Sequence, residues 1–580
     1  MTPSTGNGDS KNALLDRLQA LTAAQRAALR RRMSAEKAGG HSLIAEALRR
    51  CGMKRVLGIT GTPVHQVFPE CAKRGIRPIG TRHQQASVLM AAAANYVAGR
   101  MESAVVVSAG PAVTNALTGV LVARDNGWPV LVMGGRRPIH QEGIGYFQEL
   151  DAVPIFQSVT KWAAKVERTS EIVSAVVRAH EIASSGRPGP VYLDLPEDVL
   201  DGRSEATNLP APAQPTHLPA DAEKVTDAAR LLLEARQPLL ILGDGIRWSY
   251  CPKALRRLVE RLGIPFIAAP MGRGFLSDDH PLCANEIRRW IQTQADVVLM
   301  AGACFDYRFR FGAELAPGAR IIHVDIDPTM LGKSVAAALT ICADSGLFLT
   351  QLDEALAAKC GENESVRLGP WREQMKAACE ETRLARKAWL AKKSALMGPQ
   401  HLFSALRDFL PADAVVVLDG SITLASGQAL LSARTPCGWL DPGWNGCMGA
   451  SIPLGMGAKL AAPERMVVVA CGDFAFGLSA MELETAVRHR IPILVVVANN
   501  DGITGANRQK AYFLPDYPER FSQFLPQLRY ERIMDTFGGH AEWVTEAANL
   551  RPALERAAAS GLPACINVSV DPDAPHPGFW

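Results

Sequence analysis

The sequence predicts an α/β protein with three domains, each built on a parallel sheet. First, a chain of 580 residues, of which 48% are hydrophobic and 21% charged, is long enough to bury several cores. Second, short β-branched runs alternate with helical patterns, which is typical of parallel strands joined by crossover helices. Third, a proline-rich stretch and a charged helical stretch divide these runs into three blocks.

The three blocks follow one another along the chain. The first, 39–202, contains the strand-like runs SAVVVSAG, PVLVMGG and GPVYLDLP. A proline-rich linker, 203–221, leads to the second block at 222–358, which contains PLLILGDG, ADVVLMAG and ARIIHVDID. A charged helical connection, 359–398, leads to the third block at 399–580, which contains AVVVLDG, RMVVVACGD and IPILVVVANND. Each block is expected to form one α/β domain.

The composition of the chain indicates which kinds of binding partner to expect. The net charge of +4 is small for this length and gives no electrostatic reason to expect a nucleic-acid partner. The apolar runs are too short to span a bilayer, and the N-terminus lacks the apolar centre of a secretory signal. The twelve cysteines form no CxxC pair, which fits reduced thiols in a cytosol. We therefore expect a cytoplasmic protein with neither a membrane nor a nucleic-acid partner.

The clearest chemical signal is the run GDFAFGLSAMELETAVRHRIPILVVVANNDG. Its first strand ends at Gly472 and Asp473, a helical stretch follows, and the next strand ends at Asn499 and Asn500. In a right-handed crossover both strands end at one edge of the sheet, so the Asp473 carboxylate and the Asn500 amide oxygen can converge. Such oxygens, with a nearby turn carbonyl, suit Mg²⁺, which often shares its remaining positions with phosphate. A diphosphate cofactor is the natural partner of this site.

The run resembles the thiamine-diphosphate binding motif, which reads Gly-Asp-(Gly or Ser), a stretch of fixed length, and Asn-Asn. GWNGCMGASIPLGMGAKLA is similar to the segment before that motif, and RHQQ stands where relatives have Arg-His-Glu-Gln. The resemblance extends from Leu43 to the C-terminus and implies pyrimidine-binding, central and diphosphate-binding domains, in that order. Phe474 departs from the usual small residue, but its position is expected to contribute backbone.

The resemblance implies a site for thiamine diphosphate and Mg²⁺. Asp473, Asn500 and the Gly502 carbonyl would be the metal ligands. Met448 would be the bulky residue that forces the two cofactor rings into a V, although a lone methionine is more often part of a core. The residues expected to bind the cofactor are Ser421, Met448, Gly472, Asp473, Phe474, Ala475, Asn500, Gly502 and Ile503.

Two segments of the first block would take part in the reaction. YFQELD resembles an active-site segment in which Phe147 and Gln148 approach the substrate. In the resembled family, a glutamate at the position of Gln84 exchanges a proton with a cofactor pyrimidine nitrogen and so promotes loss of the thiazolium proton. Glutamine can donate a hydrogen bond but cannot exchange that proton, and a positioned general acid or base is typically worth about 10² to 10⁴ in rate. His83 could assist or could serve as a structural hydrogen-bonding residue.

Three explanations of Gln84 stay open. The chain is an engineered slow variant, a natural enzyme in which water or neighbouring groups replace the carboxylate, or a protein that binds the cofactor without turnover. We expect a working but slow enzyme.

The branch of the family sets the expected reaction. MELETAVRHRIP, LRYERIMDTFGG and the ending DPDAPHPGFW look like oxalyl-CoA decarboxylases and 2-hydroxyacyl-CoA lyases, whereas FQELD is equally close to acetolactate synthases. We expect a C–C lyase or carboligase that acts on a 2-hydroxyacyl or 2-oxoacyl thioester. Acetolactate-synthase-like condensation or decarboxylation of 2-oxo acids is the alternative, and a non-catalytic cofactor-binding subunit is the third.

The resemblance also bears on assembly. It implies a homodimer or homotetramer in which the cofactor lies between the pyrimidine-binding domain of one subunit and the diphosphate-binding domain of another. The helical leader, 1–38, has an apolar stripe, and its arginines gather near the C-terminal end of the helix. It either packs on its own subunit or, like docking helices of modular synthases, binds a partner, in which case the acyl carrier is a protein rather than CoA.

Overall fold

The structure is a computed structural model that describes residues 22, 37–205, 212–213, 215–359, 367–391, 396–503 and 522–574. These residues form three larger sheets, and every pair of neighbouring strands in them is parallel. The predicted fold class, three parallel-sheet α/β domains, is confirmed. The residue at which each domain begins stays a prediction.

The first domain has a six-stranded sheet in the order β3-β2-β4-β5-β7-β6. The first and last strands of the domain, β1 and β8, form a separate antiparallel pair. Its strands are β1 (Ala38–Gly39), β2 (Arg55–Ile59), β3 (Arg77–Gly80), β4 (Ser103–Val107), β5 (Val130–Arg136), β6 (Trp162–Lys165), β7 (Pro190–Pro196) and β8 (Arg203–Ser204). Its helices are α1 (Gly40–Arg50), α2 (Val67–Lys73), α3 (Gln84–Ala98), α4 (Pro111–Asp125), α5 (Val153–Gln157), α6 (Ile172–Ser184) and α7 (Glu197–Asp201).

The central domain has a five-stranded sheet in the order β10-β9-β11-β12-β13. Its strands are β9 (Pro238–Leu242), β10 (Phe266–Ala268), β11 (Val297–Ala301), β12 (Arg320–Asp325) and β13 (Leu339–Cys342). Its helices are α8 (Ala222–Glu234), α9 (Pro252–Leu262), α10 (Arg288–Gln294) and α11 (Ser345–Ala357). A long helix, α12 (Gly369–Leu390), lies between this domain and the next.

The third domain has a six-stranded sheet in the order β15-β14-β16-β17-β19-β18. Its strands are β14 (Val415–Asp419), β15 (Trp439–Leu440), β16 (Val467–Gly472), β17 (Leu494–Asn499), β18 (His540–Val544) and β19 (Ala564–Ser569). Its helices are α13 (Pro399–Phe409), α14 (Ser421–Leu430), α15 (Ser451–Ala461), α16 (Asp473–Ser479), α17 (Glu482–His489), α18 (Glu531–Thr536) and α19 (Leu550–Ala559).

The middle strands of the third sheet are continuous apolar runs. Every residue of β14 and β17 is buried, because helices cover both faces of the sheet. Their β-branched runs therefore lack the alternation of apolar and polar residues found in sheets with one wet face. The strands end at this buried core, and the polar residues that follow them emerge at one edge.

The first and third domains share one hydrophobic core within the chain, which includes side chains from α3 and α15. The two helices approach closely at Gly457, where a Cβ atom would lie 2.3 Å from the Met90 carbonyl oxygen. Glycine is needed there because any side chain would collide with the backbone of α3. The packing fixes α3 against the domain that carries the candidate site.

Two further predictions concern the ends of the chain and the membrane. Nearly all of the predicted leader and the last six residues lie outside the described residues. Each helix in the described part of the chain is too short or too polar to serve as a transmembrane span.

Candidate active site

A cavity lies at the carboxyl edge of the third sheet, where β14, β16 and β17 end. Seven of the nine predicted cofactor-binding residues line it, namely Ser421, Met448, Gly472, Asp473, Asn500, Gly502 and Ile503. The other lining residues are Pro399, Gly420, Ile422, Thr423, Ala498, Val570 and Asp571. The sequence prediction that these strand ends converge agrees with this geometry.

The two remaining predicted residues follow Asp473 and lie elsewhere. Ala475 is completely buried in the core shared by the first and third domains. The Phe474 ring faces the Phe524 ring, with centroids 6.2 Å apart. Because Asp473 begins helix α16, and each helical residue turns by about 100°, the residue two positions later points away from the first.

Asp473 is the buried carboxylate of the cavity. Its Oδ1 accepts a hydrogen bond from the Phe474 N–H at 2.8 Å, and its Oδ2 accepts one from the Gly502 N–H at 2.9 Å. Burial raises the pKa of Asp473 to about 7, against the lowering effect of these backbone donors. A cation beside the carboxylate would oppose this rise, because it stabilises the charged form.

The Asn500 side-chain amide completes a group of three. One end of the amide lies 3.2 Å from Asp473 Oδ1 and 2.9 Å from the Gly502 carbonyl oxygen. If that end is the nitrogen, it donates to both oxygens; if it is the oxygen, three acceptors converge with no hydrogen between them. Oxygens that share an octahedral Mg²⁺ lie about 2.9 Å apart, since each ligand is about 2.0 to 2.1 Å from the ion. The three groups therefore fit a hard cation.

Asp419 positions the loop that carries Met448. This residue ends β14, is completely buried, and accepts a hydrogen bond from the Ser451 N–H at the start of α15, at 3.2 Å. Burial raises the pKa of Asp419 to about 6. In the same loop, Cys447 Sγ lies 3.7 Å from the Gln85 amide nitrogen of α3. Met448 is thus held between the third sheet and helix α3.

Gln84 is the first residue of α3 and is half-buried. Its Oε1 accepts a hydrogen bond from the Asn115 amide at 3.1 Å. His83 caps the helix, since its Nδ1 accepts from the Gln85 N–H at 3.2 Å, which agrees with the structural interpretation of this histidine. Gln84 does not line the cavity around Asp473, because the residues that line it all lie between 399 and 571. Within one chain, Gln84 and the group formed by Asp473, Asn500 and Gly502 therefore do not line the same cavity.

Phe147 and Gln148 lie in a loop, 143–149, that follows β5. The Phe147 side chain is 70% exposed, and Gln148 has the left-handed backbone angle φ 61°. Gly110 allows this geometry, because a Cβ there would lie 2.8 Å from Gln148 Cβ. The predicted substrate-facing residues are thus presented to solvent on a tightly built loop.

Arg137, which sequence analysis missed, precedes the 143–149 loop in the chain and binds it through its side chain. Its Nε donates to the Phe147 carbonyl oxygen at 2.7 Å, and its Nη1 donates to Glu197 at 3.2 Å. Its guanidinium also lies 5.3 Å from the ring centroids of Tyr146 and Phe147. Its place directly after β5, in GGRR, is a signal that could have identified it, because polar residues at strand ends identified Asp473.

Comparison with known proteins identifies the domain that contains this cavity. Residues 420–568 match the thiamine pyrophosphate enzyme C-terminal TPP binding domain. Residues 225–352 match the central domain of the same enzymes, and residues 39–155 match their N-terminal TPP binding domain. The chain belongs to the thiamine pyrophosphate enzyme family. Asp473, Asn500 and Gly502 lie in its C-terminal TPP binding domain, whereas Gln84 and the 143–149 loop lie in its N-terminal TPP binding domain.

Curated relatives cover nearly the whole chain. An acetolactate synthase large subunit from Mycobacterium tuberculosis is 33% identical over 540 residues, which are 92% of this chain and 96% of that protein. Human 2-hydroxyacyl-CoA lyase 1 is 30% identical over 557 residues, 93% of this chain and 96% of the lyase. Oxalyl-CoA decarboxylase from Escherichia coli is 30% identical over 553 residues, 92% and 95% of the two chains. This thiamine pyrophosphate enzyme therefore belongs to the group that contains these three.

Proposed function

We propose that this thiamine pyrophosphate enzyme is a lyase or carboligase that breaks or forms a C–C bond in a 2-hydroxyacyl or 2-oxoacyl thioester. The observation that carries the proposal is the convergence of the Asp473 carboxylate, the Asn500 side-chain amide and the Gly502 carbonyl in a cavity of the matched C-terminal TPP binding domain. Two of the relatives described above are named for CoA-linked compounds, which favours a thioester substrate.

The proposed roles of the residues follow from their positions. Asp473, Asn500 and the Gly502 carbonyl would hold Mg²⁺, which would supply positive charge for the diphosphate of the cofactor. Ser421 begins helix α14, and the first residues of this helix line the cavity. The free N–H groups at the start of a helix suit phosphate oxygens. Met448 supports the cofactor rings. Bound thiamine diphosphate supplies a carbon nucleophile for the substrate carbonyl.

The side chain of Gln84 limits the rate at which the cofactor is activated. Its amide can donate a hydrogen bond to a pyrimidine nitrogen but cannot take up or release a proton at neutral pH. The hydrogen bond orients the cofactor, while proton removal is left to water or to a neighbouring group. We therefore expect slow activation of the cofactor with normal cofactor binding.

The active unit in this proposal is a dimer. The cavity is lined only by residues of the third domain, so the groups that would cover the cofactor must come from elsewhere. Ile144 and Phe147 are 71% and 70% exposed in the first domain, and Leu478 is 57% exposed in the third domain, which contains the cavity. Apolar groups of this size favour contact with protein. The 143–149 loop of a second copy would bring its phenylalanine and glutamine to the cavity.

Acetolactate-synthase-like chemistry is the second candidate. The supporting observation is the acetolactate synthase from M. tuberculosis, which is more similar to this chain than the lyase or the decarboxylase described above, at 33% against 30% identity. In this case the substrates are free 2-oxo acids. Gln84 supports a third candidate, a subunit that binds the cofactor without turnover.

The location of the enzyme in this proposal is the cytoplasm. The eleven cysteines among the described residues are all free thiols, which fits a reducing compartment. The substrate is carried by coenzyme A or by a carrier protein, and neither nucleic acid nor membrane takes part.

Turnover on a substrate panel distinguishes the candidates. The purified protein is supplied with Mg²⁺ and thiamine diphosphate and tested with 2-hydroxyacyl thioesters and with free 2-oxo acids. Cleavage or ligation of thioesters supports the proposal, and turnover of 2-oxo acids alone supports the second candidate. Tight cofactor binding without turnover of any substrate supports the non-catalytic subunit.

A further inference from the structure

Helix α3, which begins at Gln84, carries no charges of its own at its ends. It has no acidic residue in its first turn and no basic residue in its last turn. A helix has a partial positive charge at its N-terminus and a partial negative charge at its C-terminus, and ions of the opposite sign stabilise each end. At both ends of α3 the oppositely charged groups are side chains of two other domains.

Glu482 of the third domain lies at the N-terminal end of α3. Its Oε1 accepts hydrogen bonds from the N–H groups of His83, at 2.9 Å, and Arg82, at 3.1 Å. Its Oε2 accepts from Arg82 N–H at 3.2 Å and from Thr485 Oγ1 at 2.7 Å. Since both oxygens accept and the side chain is buried, the carboxylate is held in one place. The two residues that it binds directly precede Gln84.

Arg247 of the central domain lies at the opposite end of α3. Its Nε donates to the Tyr96 carbonyl oxygen at 2.9 Å, and its Nη2 donates to the Val97 carbonyl oxygen at 2.8 Å. Gly99 allows this approach, because a Cβ there would lie 2.5 Å from Arg247 Nη2. Its φ of 73° is also a left-handed angle that favours glycine. The last carbonyl groups of α3 are therefore bound by a cation.

We propose that Glu482 and Arg247 are positioning residues that fix α3 along its axis and thereby set the position of Gln84 at the cofactor. Packing against α15 restrains the helix sideways, and the two ions restrain it at its ends. This inference rests on the proposed function, because it takes Gln84 as the residue that faces the cofactor. Neither positioning residue needs to touch the cofactor or the substrate.

The first test uses the full chain without cofactor. Hydrogen–deuterium exchange is measured for peptides that cover residues 81–87 in the wild type and in Glu482→Gln and Glu482→Ala. Loss of the acceptor should raise exchange of the Arg82 and His83 amides by about tenfold or more in Glu482→Ala, and by less in Glu482→Gln, which keeps one acceptor oxygen.

Glu484→Gln is the matched control. Glu484 lies on the same helix as Glu482 but binds the Arg488 side chain, at 2.8 Å, and lies 3.9 Å from the Arg82 guanidinium. Its loss should leave amide exchange over 81–87 at the wild-type rate. Wild-type exchange in Glu482→Ala would overturn the inference, as would equal increases in Glu482→Ala and Glu484→Gln.

The second test uses the enzyme loaded with Mg²⁺ and thiamine diphosphate, and NMR follows exchange of the cofactor C2 proton. Glu482→Ala and Arg247→Ala should each slow this exchange by about tenfold. Arg247→Lys should restore it in part, because lysine keeps the charge but lacks the two-pronged donor geometry. Cofactor affinity should change far less than the exchange rate.

Measurements in a chain that carries Gln84→Ala distinguish failure of this inference from failure of the proposed function. If Glu482 acts through Gln84, Glu482→Ala should not slow C2 exchange further in a chain that already carries Gln84→Ala. A further slowing would overturn the positioning role. Wild-type C2 exchange in Gln84→Ala alone would instead overturn the role proposed for Gln84, while amide exchange still reports whether Glu482 holds the helix.

Discussion

The two halves of the candidate site differ in how complete they are within one chain. In the third domain, Asp473, Asn500 and Gly502 already converge within about 3 Å in a cavity of their own. In the first domain, Gln84 and the 143–149 loop lie outside that cavity, and Phe147 is largely exposed to solvent. Under the proposed function, the half that would hold the cation and the diphosphate is already assembled in one chain, whereas the half that would activate the cofactor and hold the substrate would come from a second copy.

The largest expected effect tests the activating half. Gln84→Glu restores a group that can exchange a proton with the cofactor, so C2 proton exchange should rise by about 10² to 10⁴. NMR of the loaded enzyme measures the rate. Gln85→Glu is the matched control, because Gln85 is the next residue of α3 and contacts Cys447. Exchange no faster in Gln84→Glu than in the wild type would show that residue 84 does not activate the cofactor.

The half assembled in one chain is tested by removing its carboxylate. Asp473→Asn leaves a side chain of the same shape without the charge, so Mg²⁺-dependent cofactor affinity should fall by about hundredfold or more, roughly 3 kcal/mol. Titration calorimetry measures it. Asp501→Asn is the control, since Asp501 lies between Asn500 and Gly502 but binds the Gln527 N–H at 2.8 Å. Equal affinities of wild type and Asp473→Asn would remove Asp473 from the metal site.

The need for a second copy is tested at an exposed apolar residue of the third domain. Leu478→Asp should leave the isolated chain folded, because the side chain is already 57% exposed. A buried charge in the dimer should raise the dimer dissociation constant by about 30- to 100-fold, roughly 2 to 3 kcal/mol. Light scattering across a dilution series measures it, with the thermal midpoint as the control for folding. A fully active monomer of either protein would contradict the dimeric site.

The smallest expected effect tests the loop of the first domain. Arg137→Lys removes the planar guanidinium that binds the Phe147 carbonyl and Glu197 at the same time, so kcat/KM should fall by about tenfold while cofactor affinity stays unchanged. Steady-state kinetics and calorimetry give the two numbers. Arg178→Lys is a matched control in the same domain, where the guanidinium lies over Trp162 instead. A parallel loss in both variants would mean that Arg137 has no special link to the loop.

Sequence patterns predict that Asp473 and Asn500 lie at one cavity, because the two residues follow adjacent strands of one sheet. Buried β-branched strands gave the sheets, and the polar residues at two adjacent strand ends gave Asp473 and Asn500. Helical geometry explains why the Ala475 side chain, although close to Asp473 in sequence, turns into the core instead of lining the cavity. Residues that are neighbours in the sequence of a helix therefore need not place their side chains in the same cavity.

The activating half depends on contacts that no local pattern records. Glu482 binds the backbone of residues 82 and 83, about 400 positions earlier, and Arg247 binds carbonyl groups of α3 from another domain. Such partners depend on how the domains pack, and hydrophobic periodicity carries no information on this. The left-handed angle of Gln148 was missed for a related reason, since glutamine rarely adopts it and only Gly110 leaves room.

A mixed dimer tests the central claim, that one site is built from two chains, most directly. Wild-type chains are combined with chains that carry both Gln84→Glu and Asp473→Ala, the heterodimer is isolated with two affinity tags, and cofactor C2 exchange is measured. The double variant cannot bind the cofactor, but it can offer its glutamate to the intact cavity of the wild-type chain. We expect exchange about 10² to 10⁴ faster than in the wild-type dimer. Exchange at the wild-type rate, together with fast exchange in the Gln84→Glu homodimer, would contradict the claim and place the whole site within one chain.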